Sequence, residues 1–268
     1  MLINPTNENT GDMLRHWRKV RRMSQMDLAL AANVSTRHLS FVETGRSRPS
    51  DDLILRLGEV MDLPLRHVNT ILVAAGYAPQ YTQWTLDDDE TGMIRAALEH
   101  ILAQHAPYPA VVINREYDIL LANAGFIAAV TWLTDDANII DRYSNLFRLM
   151  FADDGLWQYF VDWGNACDTL LKRLHEESLI YQSQALADLY EECITLRKPP
   201  AAVSDASLAA HLPVLTFAFC KDGLELQYFS TMTTFGTAID VTLQELRIES
   251  MFPADEPTRR FFQARSSR

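Results

Sequence analysis

The chain has 268 residues, of which 48% are hydrophobic and 22% charged, a composition typical of globular proteins. No apolar run approaches the roughly 18 residues of a membrane-spanning helix. The N-terminus also lacks the basic and then apolar pattern of a secretory signal. Three widely separated cysteines argue against a disulfide framework. We therefore expect a protein of the reducing cytoplasm without a membrane partner.

The net charge of -11 is unevenly distributed along the chain. Residues 1–80 hold 10 Lys and Arg against 8 Asp and Glu, whereas the remaining residues carry a net charge of -13. Between Arg15 and Arg48 there are eight basic residues and only two acidic ones. This division indicates that one part of the chain meets an anion and that the other part has a different task.

Residues 11–75 are predicted to form five short helices. The first, over residues 13–22, has apolar residues at helical spacing. The other four begin at residues that commonly cap or open helices: Ser24, Ser35, Ser50 and Pro64. Asn33 stands where the chain turns between the second and third helices, and asparagine tolerates left-handed backbone.

The rest of the chain is predicted to mix helices and strands. An apolar stripe over residues 93–102 indicates a helix, and strand-like runs follow at 110–113 and 119–122. A helix is predicted over 125–133, and residues 146–198 are rich in helical patterns. Residues 213–220 and 224–229 flank Lys221-Asp222-Gly223, which is typical of a hairpin. The predicted boundaries are therefore a domain over 1–80, a connecting helix over 81–105 and a domain over 106–268.

The segment over residues 24–45 has the pattern of two helices crossing at a tight turn. Apolar or small residues lie where the helices would cross, and polar residues project from the start of the second helix. The two arginines just after it are placed for phosphates. A plain helical bundle for protein contact is the alternative, which the local excess of basic residues disfavours. We predict that double-stranded DNA is contacted by Gln25, Ser35, Thr36, Arg37, Ser40, Arg46 and Arg48.

This segment resembles the Xre, or lambda-repressor-like, helix-turn-helix family. The shared pattern is S-Q-x-x-L-A-x-x-A-x-V-S-x-x-x-L-S-x-V-E-x-G-R-x-x-P, with Asn33 where the family usually has glycine. The resemblance implies that Arg18 and Glu43 pair within the domain rather than contact DNA.

A longer resemblance covers nearly the whole chain and points to the MmyB-like transcription regulators. It rests on stretches that include Arg37–Ser50, Ala74–Pro79, Asn145–Phe151, Asp162-Trp163 and Ser230–Pro253. The resemblance implies an all-α helix-turn-helix domain followed by an α+β, PAS-like domain. It also makes a small apolar ligand such as a fatty acid the expected bound molecule.

The C-terminal part supplies aromatic residues that suit the walls of an apolar pocket, and polar residues that could anchor a head group. The same aromatic residues equally suit an ordinary hydrophobic core, and Arg148 equally suits a buried ion pair. The predicted ligand-binding residues are Phe126, Phe147, Arg148, Trp157, Trp163, Phe229, Thr231, Thr233 and Phe235.

Motifs typical of enzymes are missing from the sequence, which has no phosphate-binding glycine loop, no G-x-S-x-G and no H-E-x-x-H. We therefore assign no catalytic residue, no metal site and no cofactor. The sequence predicts a cytoplasmic, homodimeric transcription regulator whose C-terminal domain senses an apolar ligand. Two alternatives remain open: a C-terminal domain that serves only dimerisation, and one with an unrecognised small-molecule enzyme activity.

Overall fold

The structure, a computed structural model, describes residues 10–197, 216–236 and 240–266. These residues form two compact units. The first unit holds the described chain up to Trp84 and also takes in Gly236–Gln244, whereas the second holds Thr85–Phe235 and the chain from Glu245 onward. The helix that was expected to connect the domains over 81–105 thus belongs to the second unit, and a short piece of the later chain belongs to the first.

The first unit is helical. Its helices in chain order are α1 (Thr10–Val20), α2 (Gln25–Ala31), α3 (Thr36–Glu43), α4 (Asp51–Val60) and α5 (Leu65–Ala74). Three of the predicted caps are present, because the hydroxyls of Ser24, Ser35 and Ser50 each accept a backbone hydrogen bond from the first turn that follows. The indole of Trp17 is buried at the centre of this unit together with Leu14, Leu28, Leu39 and Leu57.

The short return of the chain to the first unit is anchored by hydrogen bonds. The amide of Leu65, at the start of α5, donates to Oε1 of Gln244 over 2.6 Å. Because Pro64 offers no side-chain cap there, Gln244 satisfies a donor that the helix leaves without an internal partner. The amide of Val241 donates to the carbonyl of Thr82 over 3.0 Å, and the buried Asp240 carboxylate accepts from the Thr82 hydroxyl over 3.2 Å.

The second unit is an antiparallel sheet packed with helices. Its helices are α6 (Gly92–His105), α7 (Ala124–Thr134), α8 (Ile139–Arg142), α9 (Leu146–Phe151), α10 (Trp163–Ile180), α11 (Gln184–Leu196) and α13 (Glu256–Ser266). The short helix α12 (Val241–Glu245) belongs to the first unit except for its last residue. The strands of the second unit are β1 (Ala110–Ile113), β2 (Ile119–Ala122), β3 (Thr216–Lys221), β4 (Leu224–Thr234) and β5 (Arg247–Pro253), in the spatial order β2-β1-β5-β4-β3.

The two faces of the sheet differ because side chains alternate along each strand. Met232 is paired with Glu249, and Val111 is paired with Glu249 on the other side, so these side chains share one face. That face carries the main hydrophobic core, to which α7, α9, α10 and α11 contribute. Phe229 and Phe252 stack with their ring centroids 5.2 Å apart on the other face.

The predicted fold class, an all-α helix-turn-helix domain followed by an α+β domain, is confirmed. Strands β1 and β2 coincide with the predicted runs. The hairpin of β3 and β4 turns at Asp222 and Gly223, both with positive φ, as a tight hairpin turn requires. Residues 213–215 of the predicted first hairpin strand lie outside the described residues. Within the described parts of the chain, no helix has the length and apolarity that crossing a bilayer requires.

Candidate nucleic-acid interface and ligand cavity

Helices α2 and α3 form the crossing pair that the sequence predicts. The turn between them is closed by Asn33, whose φ of 54° lies in the left-handed region. Leu28, Leu39 and Val42 are buried between the helices, which fixes the angle at which α3 is presented. The first turn of α3 therefore lies at the surface with its polar side chains outward, as a recognition helix needs.

Some of the predicted DNA-contacting residues point to the solvent, and others are engaged in contacts within the domain. Thr36 and Arg37 are exposed on the first turn of α3, and Ser40 is half-buried one turn later. Ser35 is exposed, and its hydroxyl caps α3 by accepting from the amide of His38 over 3.1 Å. Gln25 turns inward, because its amide donates to the Glu43 carboxylate over 2.7 Å.

Three exposed arginines lie against aromatic rings at this surface. The guanidinium carbons of Arg37 and Arg46 are 5.4 and 6.0 Å from the ring centroid of Phe41. That of Arg48 is 4.7 Å from the ring of Tyr77. Among the described residues none of the three arginines has an ion-pair partner within the chain, so their charge is available to an anion.

The pairing of Arg18 with Glu43 is confirmed. Nε and Nη2 of Arg18 donate to the two carboxylate oxygens of Glu43 over 2.6 and 2.9 Å, which joins α1 to α3. Glu43 is 1% exposed. Burial alone raises the pKa of this carboxyl, but the hydrogen bonds from Arg18 and Gln25 and the charges of Arg18 and Arg15 together hold the pKa below its usual value. Glu43 is thus an ionised structural centre beneath the recognition helix.

The second unit contains a cavity of about 230 Å³. Strands β3, β4 and β5 form one wall, and helices α9 and α10 contribute to the other. The apolar lining includes Phe147, Phe160, Leu170, Phe217, Phe219 and Met251. A partly open, mostly apolar space bounded by aromatic rings is a common environment for a small organic ligand.

A small set of polar side chains lines the same cavity and forms one cluster: Tyr117, Arg173, Ser230 and Glu249. The guanidinium carbon of Arg173 lies 5.6 Å from the ring centroid of Tyr117. Burial raises the pKa of Tyr117 to about 12, so its hydroxyl remains protonated and able to donate. Ser230 on β4 lies close enough to Glu249 on β5 to lower the pKa of its carboxyl group.

A half-buried carboxylate holds the arginines of this cluster in place. Glu177 accepts from Nη1 of Arg247 over 3.0 and 3.2 Å and from Nε of Arg173 over 3.3 Å. Burial lowers the pKa of Arg247, but the charge of Glu177, its hydrogen bond and the neighbouring tyrosines together raise this pKa above its usual value. Nη1 of Arg247 also donates to the Tyr117 hydroxyl over 3.3 Å. The cavity therefore has one fixed, polar part and an otherwise apolar surface.

Of the nine residues predicted to bind a ligand, the structure places Phe147 in the cavity wall. Phe126 and Trp163 are buried in the hydrophobic core, against which Trp157 also packs. Arg148, next to Phe147 on the short helix α9, points away because it forms a surface ion pair with Glu192 over 2.9 Å. The three aromatic residues thus follow the alternative of an ordinary core, whereas the ion pair of Arg148 lies at the surface and not in the buried position that the sequence suggested.

The predicted residues of β4 lie on the other face of the sheet. Tyr228 and Ser230 line the cavity, and alternation along the strand therefore directs Phe229, Thr231 and Thr233 away from it. Phe235 follows the end of β4 and is half-buried. The predicted residues are therefore displaced by one position along β4 from the residues whose side chains line the cavity.

The charged lining residues Arg173 and Glu249 were missed by sequence reasoning. Arg173 has the appearance of a surface residue on an amphipathic helix. Glu249 belongs to β5. The side chains of Arg247, Glu249 and Met251 are on the face of the sheet that carries the cavity, and the residues between them, such as Ile248, are on the other face. A strand whose charged residues face the interior can line a polar pocket. The same pattern makes the strand hard to recognise from the sequence, because strands are usually recognised by apolar residues on the inner face.

These features define the class of the protein as a helix-turn-helix DNA-binding protein with a second, ligand-binding domain. Residues 14–68 match the helix-turn-helix family. Residues 94–264 match the family described as the MmyB-like transcription regulator ligand binding domain. This match covers well over half of the chain, and the chain belongs to the MmyB-like transcription regulators. No curated protein matches the chain. Both resemblances stated from the sequence are confirmed, and the protein is a DNA-binding transcription regulator with a ligand-binding domain.

Proposed function

We propose that the cavity of the second unit binds a small molecule with an apolar chain and an acidic head group, such as a fatty acid, and that its occupancy sets the DNA-binding activity of the first unit. The observation that carries the proposal is the cavity itself. Most of its lining is apolar, and its polar side chains form one cluster that includes Arg173. A guanidinium at the end of an apolar space suits a carboxylate attached to a hydrocarbon chain.

The size of the cavity supports a short or medium chain. Its volume of about 230 Å³ lies below the range of about 300–1,000 Å³ that is common for drug-sized ligands. Each buried methylene contributes about 0.8 kcal/mol before ordering costs. A chain that fills the cavity therefore binds better than one that is too short, and a longer chain requires the walls to move.

The path of the chain supports coupling between the ligand and DNA. Strand β4, which lines the cavity, leads into the segment Gly236–Gln244 of the first unit, and the chain then returns as the cavity strand β5. The hydrogen bond from Leu65 to Gln244 attaches this segment to helix α5. A shift of β4 or β5 on ligand binding would act on the first unit through this attachment.

A pair of substitutions on α10 tests the ligand. Leu170→Trp fills the cavity, whereas Leu179→Trp adds the same group at an exposed position of the same helix. We expect fatty acids of increasing chain length to raise the melting temperature of the wild type and of Leu179→Trp, but not of Leu170→Trp. Mass spectrometry of solvent extracts identifies any ligand that the purified protein retains. No extractable lipid and no thermal shift at any chain length would contradict the ligand and favour the dimerisation-only alternative.

We also propose that the regulator acts as a homodimer, because one helix-turn-helix unit reads only a few base pairs. Helix α6 supports a contact between copies, since its Met93 is 86% and its Ile101 43% exposed, while Leu98 and Leu102 pack inward. Sedimentation of the full chain tests this proposal. A monomer at micromolar concentration would contradict it, and a dimer that Met93→Asp or Ile101→Asp dissociates would assign the contact to α6.

A further inference from the structure

Glu249 is a carboxyl group in the polar part of a mostly apolar cavity, and no ion-pair partner within hydrogen-bond distance compensates it among the described residues. It lies on β5 directly opposite Met232 of β4, so the two side chains share the cavity face. Nη2 of Arg173 contacts the sulfur of Met232 over 3.3 Å. The guanidinium of Arg173 is therefore held beside the position that the Glu249 carboxyl occupies.

The charges around this position do not cancel when Glu249 is protonated. Arg173 and Arg247 both donate to the single carboxylate of Glu177, which leaves one positive charge in excess. An ionised Glu249 cancels that excess. A protonated Glu249 leaves it available to an anion that enters the cavity.

We propose that Glu249 selects the head group of the ligand through its own protonation state. When protonated, it donates a hydrogen bond to a ligand carboxylate that pairs with Arg173. When ionised, it pairs with Arg173 itself and repels an acid, while a neutral head group remains acceptable. The inference rests on the proposed function, since it assumes that the cavity binds a chain with a polar end.

Side chains from several elements of the second unit face Glu249. The hydroxyl of Ser230, on β4, is close enough to the carboxyl group to lower its pKa. Tyr117 and Tyr228 stay neutral because burial raises the pKa of each phenol. The guanidiniums of Arg173 on α10 and Arg247 on β5 stay charged. Their shared partner Glu177 is on α10, and the facing residue of β1, Val111, is apolar.

Burial makes a protonated Glu249 attainable at ordinary pH. It raises the pKa of this carboxyl, and the nearby Ser230 hydroxyl and the charge of Arg173 only partly oppose it. Above that pKa, an acid can bind only if a proton is taken up with it. Its affinity then falls by up to about tenfold per pH unit, whereas the affinity of a neutral analogue does not fall.

The test compares octanoic acid with octan-1-ol as probes of the full-length protein. Isothermal titration calorimetry from about pH 6 to about pH 9 gives both dissociation constants, because the free acid stays ionised throughout that range. For wild type we expect the acid to weaken as the pH rises and the alcohol to remain constant. In Glu249→Gln the acid should bind with nearly the low-pH affinity at every pH. Glu225→Gln, an exposed position on β4, is the matched control and should behave like wild type.

A second measurement keeps the proposal open to disproof if Glu249→Gln fails to fold. Titrations of wild type in buffers with different ionisation enthalpies give the number of protons taken up, and we expect up to one for the acid and none for the alcohol. A flat pH profile for the acid, or the same slope for acid and alcohol, would overturn the role of Glu249 alone. Absence of binding by both probes would overturn the ligand assignment as well.

Discussion

Each unit of the molecule contains a carboxylate that two guanidinium groups share, Glu43 in the first and Glu177 in the second. Around Glu43 the arrangement is closed. Arg18 donates to both oxygens over 2.6 and 2.9 Å, Gln25 adds a third hydrogen bond, and Nε of Arg15 lies 3.8 Å away. The side chain of Glu43 has no exposed surface, so these interactions serve the packing of helices.

Glu177 is also shared by two guanidinium groups, but one of them faces the cavity and is not covered by packed side chains. Arg247 is fixed by two contacts with Glu177, but Arg173 has only one and also lines the cavity. The side chain of Arg173 is 41% exposed. A charge motif therefore stabilises the fold where packed side chains surround it, and under the proposed function it can serve a ligand where one guanidinium lines a cavity.

Replacement of Glu43 should give the largest effect. Glu43→Ala leaves Arg18 without its partner in a buried position, and loss of one member of a buried pair costs about 3–5 kcal/mol. Chemical unfolding of the full chain, followed by circular dichroism, should show the transition of the first unit at lower denaturant concentration. Glu59→Ala, at an exposed position of α4, should change it little. An unchanged transition in Glu43→Ala would show that the closed pair does not stabilise the fold.

Low pH should weaken the ion pair between Arg18 and Glu43. The pKa of Glu43 is lower in the folded than in the unfolded protein, so its contribution to stability is complete above the unfolded value of about 4.3. That contribution is lost as the pH falls through the folded pKa. The stability difference between wild type and Glu43→Gln should therefore shrink on acidification below about pH 4. A difference that stays constant down to about pH 2 would contradict the pairing as its source.

Glu177→Gln should give a smaller loss of stability and a gain of binding. Because Arg173 is partly exposed, the cost should be about 1–3 kcal/mol. The substitution removes the carboxylate that both guanidiniums share, so octanoate should bind more tightly and restore part of the melting temperature. Glu176→Gln, at the adjacent exposed position of α10, should alter neither quantity. Weaker octanoate binding in Glu177→Gln would show that Glu177 positions Arg173 more than it competes with the ligand.

Arg37 extends the comparison to a guanidinium without a carboxylate partner. Arg37→Ala should cost about 1–3 kcal/mol on the preferred DNA site and relax its specificity at one base pair. Arg46→Ala should weaken binding to all sequences and lower its salt dependence by about one phosphate contact. Binding-site selection and salt titrations measure both effects, with Arg259→Ala in the second unit as control. An unchanged sequence preference in Arg37→Ala would contradict base contact by this residue.

The helical unit could be predicted from the sequence in considerable detail. Ser24, Ser35 and Ser50 mark helix starts through contacts with the next three residues, and such local interactions are visible in the sequence. The Arg18 pair joins distant residues, and it was accessible only through the family resemblance.

The cavity could not be predicted in the same way. Strand β5 was missed because its inward positions carry Arg247 and Glu249, the reverse of the usual apolar pattern. In β4 the residue types were recognised, but which face meets the cavity depends on pairing with β5, a contact between distant parts of the chain. A binding surface built from outward polar residues is therefore easier to read than one whose polar residues point inward.

Substitution of Arg148 should give the smallest change in stability and binding. It distinguishes a head group placed at Arg148, as the sequence suggested, from one placed at Arg173, as the cavity suggests. Nε and Nη2 of Arg148 donate to the Glu192 carboxylate over 2.9–3.1 Å at the surface, where such a pair contributes under about 1 kcal/mol. Arg148→Ala should therefore leave the melting temperature and the affinity for octanoate almost unchanged, whereas Arg173→Ala should weaken octanoate and spare octan-1-ol. Calorimetry of both variants with both probes makes the comparison. If Arg148→Ala weakened octanoate and Arg173→Ala did not, the head group would lie at α9, and the open cluster around Glu177 would be structural like the closed one around Glu43.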